Sequence, residues 1–407
     1  MEEIRKAIKF LRDRDLYPDV KVIEGVASDP VATIDGRKIL VFCSANYLGL
    51  ANDPILKNAV IEGIKRYGLH PTGARLVSGT LDAHLKLERA TARFKDAEDS
   101  VVFTTGVLAN IGTVPAITNL PPFPPAAAVS SFFRRAFGGE AEIFSDELNH
   151  GSIVDGIRLA KAKRTIYKHS DMEDLERKLR HSRAKRKLVI TDGVFSMDGD
   201  IALLPQLIAL CRQYGALFMV DDAHATGILG ATGKGSLEYF GLKDGIDIQM
   251  GTYSKALGLL GGFIAGEKAL TDYLRIWART YVFSGAIWGA IAYGALEALE
   301  VVQHDTERRR RLHENSVYIR SELQRKGFST LSSKDTPIIP VHIGREEDAI
   351  QVAKDLFAQG ILAPAIRWPA VPRGSSRIRL SMMSTHEKKH MDHLVSTMEK
   401  VARRYLG

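Results

Sequence analysis

The sequence predicts an α/β protein, with a large domain built on a mixed, mostly parallel sheet and a smaller C-terminal α+β domain. Two observations predict it. From about residue 46 to 282, short β-rich runs (SVVFTT, LVITDGVF, ALFMVDDA, DIQMGTYS) alternate with amphipathic segments such as 203–214, the pattern of strands joined by crossover helices. Beyond residue 283 that alternation stops, and long charged helical stretches surround isolated strands. The 407 residues, 45% hydrophobic and 26% charged, are an ordinary globular composition for two or three domains.

Residues 1–45 form an arm, with a charged helix in MEEIRKAIKFLRDRDL and then a hairpin at IDGRK, whose Asp-Gly pair favours a tight turn. The large domain covers 46–282. The small domain covers 283–407 and includes its connecting helix. Its expected order is a helix over 296–327, a strand at PIIPVHIG, a helix over 346–359, a strand near SRIRLSMM and a last helix over 385–405. The apolar stretch 283–302 contains Glu297 and Glu300, which makes it a buried helix and not a membrane span. One segment breaks the rhythm. In TNLPPFPPAAAVSSFFRRAFGGE (118–140) the proline pairs exclude a regular helix. It reads first as an inserted loop packed on its own domain. The alternatives are a cover over an opening, a contact with a partner chain, or a surface for a lipid-like substrate.

A net charge of +8 raises nucleic acid or an anionic membrane as partners. The basic runs at 308–311 and 180–187 lack interleaved aromatics and any nucleic-acid motif, so they read as solvated helix faces. Substrates carrying phosphate or carboxylate fit the same charge. Only Cys43 and Cys211 occur, which excludes a disulfide scaffold. The start of the chain has no apolar leader, so the expected location is the cytoplasm.

The chemistry begins in MGTYSKALGLLGG (250–262), where Lys255 follows a β-like run and precedes several glycines. A lysine desolvated at a strand end has a lowered pKa and an amine free for imine formation. Upstream, MVDDAHATGILG places Asp221 and His224 at another strand end. A pyridoxal ring needs an anion at its ring nitrogen and a donor near its phenolic oxygen, and this pair supplies both; a helix cap beside a surface histidine is the bland alternative. TTGVLAN (104–110) is a small turn entering a helix, the general form of a phosphate cradle. His150, in SDELNHGSIVDG, can stack on the ring or polarise a substrate carbonyl. Arg377 and Arg379 share one face of a strand, and such an arginine can clamp a carboxylate. HEKKH (386–390) matches a zinc-protease pattern, but Thr385 as a helix cap and the buried stripe after Met391 favour an ordinary helix start. GATGKGS lacks the order of a phosphate-binding loop.

These segments, with FCSANYLGL, GARLVSGTLDAHLKLE, DGVFSMDGD and YVFSG, follow one another in an order that resembles the α-oxoamine synthases over nearly the whole chain from about residue 20. The resemblance implies a fold-type-I, aspartate-aminotransferase-like protein that uses pyridoxal 5'-phosphate. It implies a homodimer with sites at the interface, and condensation of a small amino acid (serine, alanine or glycine) with an acyl thioester on CoA or a carrier protein, releasing CO2. By motif match, Lys255 is the Schiff-base lysine, Asp221 the ring-nitrogen partner, His224 the phenolic-oxygen partner and His150 the stacking histidine. Gly106, Val107, Ser196 and Thr252 lie near the cofactor, and Ser284 reaches the partner's phosphate. Asn46, Arg367 and Arg379 are the substrate-binding candidates. Ala45 and Ala370 stand where many members have Asn and Thr. With the apolar segment 118–140, Ala45 leans the expectation toward a long-chain donor, as in serine palmitoyltransferase. The alternatives are 8-amino-7-oxononanoate synthase or 2-amino-3-ketobutyrate CoA ligase activity and, from another class, an aminotransferase of the same fold.

Overall fold

The computed structural model describes residues 1–13, 17, 20–119, 141–331 and 333–405. Nearly all of the Pro- and Phe-rich segment at 118–140 therefore lies outside the described residues. Helix Glu2–Asp13 carries no buried residue. The arm then supplies β1 (Ile23–Glu24), β2 (Val31–Ile34) and β3 (Arg37–Val41), and Asp35 and Gly36 turn β2 into β3 with positive φ.

The large sheet takes β4 (Asp99–Phe103), β5 (Ala141–Asp146), β6 (Lys163–Tyr167), β7 (Arg186–Asp192), β8 (Leu217–Asp221), β9 (Ile248–Thr252) and β10 (Gly262–Gly266). Its spatial order is β4-β10-β9-β8-β7-β5-β6. Strand β10 runs antiparallel to both neighbours, and the remaining pairs are parallel. The strands are apolar on both faces, as a sheet covered on both sides requires. Ile143, Ile190 and Met219 pack with Ala109, Val114, Ile153 and Ile157 of two helices. Their strand neighbours Phe144, Val189 and Phe218 point the other way, against Leu175, Leu179, Leu204 and Leu207. The carboxyl ends of four strands, at Asp146, Asp192, Asp221 and Thr252, open on one edge of the sheet, where ligands bind in open α/β sheets.

The C-terminal part contributes β11 (Ile338–Gly344), β12 (Ile361–Leu362), β13 (Ala365–Ile366) and β14 (Ser376–Ser381). Strands β11, β14 and β13 form an antiparallel sheet, while β12 joins β3 in parallel and completes the arm's sheet. The single helix expected over 296–327 is two helices, Gly289–His304 and Thr306–Arg325. The break falls at Asp305, whose carboxylate accepts from Arg308 N at 3.2 Å and Arg308 Nε at 2.8 Å, a cap that starts a new helix. The first of them packs closely on helix Pro54–Tyr67, where a Cβ on Gly63 would meet Ala290 Cα at 2.7 Å. Among the described residues no helix is long and apolar enough to cross a membrane.

The last helix is Lys388–Ala402, with Glu387 at its N-cap. Thr385 is therefore not the cap, and His386 precedes the helix. Buried His386 spends its ring on Met383 N at 3.0 Å and Val41 O at 3.0 Å, so the two histidines of HEKKH do not share a helix face.

Candidate active site

Lys255 lies in the turn between β9 and β10. That turn is rigid. Buried Tyr253 bonds Thr91 at 2.6 Å, and Gly258 N donates to Lys255 O at 2.9 Å. Gly258 has φ +73, and a Cβ there would come within 2.5 Å of Ala51 N, so only glycine allows this close approach. Among the described residues no hydrogen bond or ion pair engages Lys255 Nζ. Burial pushes its pKa below the ordinary lysine value; the charges of Asp221 and Asp192 oppose this, and Arg379 adds to it.

Asp221 ends β8, and the strand's alternation separates it from its neighbour. Asp222 turns away to a buried pair with Lys95 at 3.0 Å and a bond from Ser236 Oγ at 2.5 Å. Asp221 faces the cavity and accepts from Asn110 Nδ2 at 2.7 Å and Ala223 N at 2.9 Å. Directly beside it in the parallel register is Asp192, which the sequence reading did not single out. Burial and then the Asp221 charge push its carboxyl pKa well up, against a bond from His150 N at 2.9 Å.

The two histidines come from different loops. His224 Nδ1 bonds Tyr47 Oη at 2.8 Å. Among the described residues no other acceptor stands at hydrogen-bond distance from the proton of buried Tyr47 Oη, so that proton goes to Nδ1, which leaves His224 with its own proton on Nε2. Burial holds His224 well below the usual imidazole pKa, and the nearby Lys255 and Arg379 charges add to this. His150 caps helix Gly151–Leu159, and its Nδ1 bonds Ser152 Oγ at 2.8 Å. Burial lowers its pKa also.

A cavity of about 260 Å³ gathers these groups. Its walls include Gly106, Val107, His150, Ser196, Asp221, His224, Thr252 and Lys255, together with Asp192 and Ser254. Helix Gly106–Thr118 begins here, capped by Thr105 Oγ1 on Leu108 N at 3.1 Å. The first backbone N–H groups of a helix have no intrahelical partner and favour an anion. A Cβ on Gly106 would sit 2.9 Å from Met250 Cε, so glycine keeps this cradle open. Thr252 Oγ1 donates to Gly261 O at 2.7 Å and meets Ser254 Oγ at 2.7 Å. The threonine proton is thus taken, so Ser254 Oγ donates to Thr252 Oγ1, and being exposed it is the hydroxyl that can swing to an anion. An open cradle, a half-buried amine with no partner among the described residues and a carboxylate on the cavity wall fit pyridoxal phosphate, with its phosphate, aldehyde and ring nitrogen.

The substrate candidates sit around this cavity. Arg379 donates to Ser196 O and to Ser381 Oγ at 2.9 Å. Arg377, on the same face as expected, is buried and bonded to Asp198, so it braces a turn. Arg367 follows β13, beside the wall at 368–372 of a second cavity of about 570 Å³, which shares His150 and Ser196 with the first. Asn46 spends its amide on structure: Nδ2 donates to Ser28 O in the arm at 2.9 Å, and Oδ1 accepts from Ala51 N at 3.1 Å. Ser284 lies outside the first cavity, in a neighbouring one of about 310 Å³ with His70 and Trp288.

Comparison with known proteins gives concordant results. The family model "Aminotransferase class I and II" matches residues 37–398. The chain is similar to 8-amino-7-oxononanoate synthase from Thermosipho melanesiensis (42% identical, covering 98% of this chain and 97% of the relative). It is 40% identical to the enzyme of that name from Lysinibacillus sphaericus, over 99% of this chain and 98% of the relative. In shape it is similar to a serine palmitoyltransferase variant from S. paucimobilis with bound PLP and myriocin, with a TM-score of 0.90 at 27% identity over 99% of this chain and 97% of that one.

Proposed function

The chain belongs to the class I and II aminotransferase family and, within it, to the α-oxoamine synthases, and from that premise we propose that it makes 8-amino-7-oxononanoate. It is a pyridoxal-phosphate-dependent acyltransferase that joins an amino acid to an acyl thioester. The observation that carries the finer reading is identity of 40–42% along nearly the whole chain with enzymes of that name. For a product of that name, carbon counting gives the substrates. A nine-carbon acid with its amine on C8 and its ketone on C7 keeps only a methyl-bearing carbon from the amino acid, which is alanine. The other seven carbons are a dicarboxylic chain, activated as a thioester at one end.

The lean toward a long-chain donor is given up. The curated relatives at 40–42% identity are named 8-amino-7-oxononanoate synthase, whereas the serine palmitoyltransferase structure is 27% identical; Ala45 and the segment at 118–140 do not outweigh that.

Bound in the cavity, pyridoxal phosphate supplies an electron sink for the bonds at the amino acid's α-carbon. The chain's residues divide the remaining work. Gly106 N–H, Val107 N–H and Ser254 hold the phosphate, and Asp221 holds the ring nitrogen. His224, through Nε2–H, donates to the phenolic oxygen. Lys255, its pKa depressed by burial, would serve as the general base for the α-proton. Arg379 holds the substrate carboxylate, and His150 polarises the thioester carbonyl.

The active form we propose is a homodimer. Leu76, Val77, Phe283 and Trp288 are exposed large apolar residues on segments that meet through Ala286 N on Gly73 O at 3.1 Å, beside the cavity that contains Ser284. A clustered apolar patch of this kind favours a second copy, and light scattering on the eluted peak measures it.

The test pairs alanine, serine and glycine with acetyl, palmitoyl and seven-carbon dicarboxylic thioesters, and identifies products by mass. Alanine with the dicarboxylic donor should exceed every other pair by about tenfold or more in kcat/KM. Preference for serine with palmitoyl thioester overturns the proposal. So does amino transfer to a keto acid without thioester consumption, which is the aminotransferase reading.

A further inference from the structure

Asn110 and Ser152 belong to none of the roles assigned above, yet they join the two groups expected on either side of the ring. Asn110 lies in helix Gly106–Thr118, and Ser152 in the first turn of helix Gly151–Leu159. The helices approach closely enough that a Cβ on Gly156 would meet Asn110 O at 3.0 Å. Both side chains are buried, so their protons can be followed.

Asn110 Nδ2 has two protons. One bonds Asp221 Oδ2 at 2.7 Å and the other Ser152 Oγ at 2.9 Å. The reversed amide would set its oxygen against a carboxylate, so charge fixes this orientation. Asn110 Oδ1 is left buried with no partner among the described residues, a cost accepted to keep both donors in use. Ser152 Oγ accepts from Asn110, so its own proton goes to His150 Nδ1 at 2.8 Å. The backbone N–H of Ser152 points to the same nitrogen at 3.2 Å. A nitrogen that accepts from two donors carries no proton.

We propose that Asn110 and Ser152 are positioning residues that lock His150 as the neutral Nε2–H tautomer and tie its orientation to the Asp221 carboxylate. His150 lines both the cavity containing Lys255 and the larger one beside it. The lock thus presents a fixed donor where the two cavities meet, with Nδ1 unable to compete. This rests on the reading of His150 as the residue that polarises the thioester carbonyl, and its first measurement does not depend on that reading.

The test uses the full chain with 15N-labelled histidine, with and without pyridoxal phosphate, and assigns the His150 signals by their loss in His150→Gln. In the wild type, Nδ1 should show the shift of an unprotonated nitrogen and Nε2 that of a protonated one. Ser152→Ala and Asn110→Ala should each raise the share of the other tautomer about fivefold, the worth of one neutral hydrogen bond. Ser152→Thr, which keeps the hydroxyl, should restore the wild-type ratio. A wild-type ring protonated on Nδ1 overturns the proposal, and so does a tautomer ratio unchanged in both alanine variants. If the chain takes up no pyridoxal phosphate, the function proposed above falls, while the ratios in the cofactor-free chain still decide this inference.

Discussion

Replacing His169 with alanine should weaken the fold in a way that depends on pH. The imidazole sits between two carboxylates, with Nδ1 3.0 Å from Asp146 Oδ1 and Nε2 3.0 Å from Asp200 Oδ2. Its side chain is 23% exposed and that of Asp146 only 2%. Burial alone would lower its pKa, but the two hydrogen-bonded acids overturn this and raise it from 6.5 to about 10. A raised folded-state pKa contributes stability that is complete below the unfolded value near 6.5 and is lost as pH climbs through 10. At about 1.4 kcal/mol per unit, the ceiling is about 5 kcal/mol in acid. The same linkage gives about 4 kcal/mol at pH 7 and about 1.5 kcal/mol at pH 9. The pair also braces the site, because Asp200 closes the turn that carries Ser196 and Phe195 lies edge-on to His169 with ring centroids 4.5 Å apart. Urea unfolding of wild type and His169→Ala, followed by tryptophan fluorescence at pH 6, 7, 8 and 9, measures the gap. A gap that stays constant from pH 6 to 9, or one below about 1 kcal/mol at pH 7, refutes the ion-pair account.

Two further outcomes follow from the cavity. Lys255→Ala should abolish the borohydride-reducible yellow adduct and lower turnover by about 10⁴-fold or more; a trapped adduct on another lysine would remove Lys255 from its role. Gly106→Ala places a Cβ 2.9 Å from Met250 Cε and should weaken pyridoxal-phosphate affinity about tenfold, read by fluorescence quenching; an affinity within about twofold of wild type would show that the cradle tolerates a side chain.

What the sequence reveals of this site follows from how local each signal is. Lys255 was legible because the strand, the polar triplet and the glycines that position it occupy one contiguous run. Asp221 and His224 share another run, at a strand end; that Asp222 turns away to Lys95 is visible only in the structure. Asp192 was not legible. It matters because β7 lies beside β8 with Asp192 and Asp221 in register, and strand order is not written in either segment. Tyr47 lies 177 residues from the histidine whose proton it sets, in a motif that drew attention to Ala45 and Asn46 instead. Arg377 and Arg379 were read as sharing a face, but not that this face packs on residues 196–198, because a turn's partner is a tertiary fact. The long C-terminal helix was misread at Asp305 because the charged pattern runs on across the break, and only the cap geometry interrupts it.

The turn at 195–200 is one place where the large sheet's loops meet the C-terminal strands. Its own hydrogen bonds, Phe195 N to Asp200 O at 3.0 Å and Gly199 N to Phe195 O at 2.8 Å, close it locally. From the large sheet, His169 reaches Asp200. From the C-terminal part, Arg379 bonds Ser196 O, Arg377 bonds Asp198, and Thr336 Oγ1 donates to Gly199 O at 2.5 Å. The groups proposed to hold the cofactor come mainly from the ends of the large sheet's strands and the helix after β4, whereas Arg367 and Arg379 arrive on the C-terminal strands. On the proposed roles, the groups for the cofactor and for the amino acid's carboxylate therefore sit on different structural layers, and this turn links them. Damage to its C-terminal bonds moves Arg379 while leaving Lys255 and Asp221 on a rigid sheet, so it acts on the amino acid's carboxylate before it acts on the cofactor.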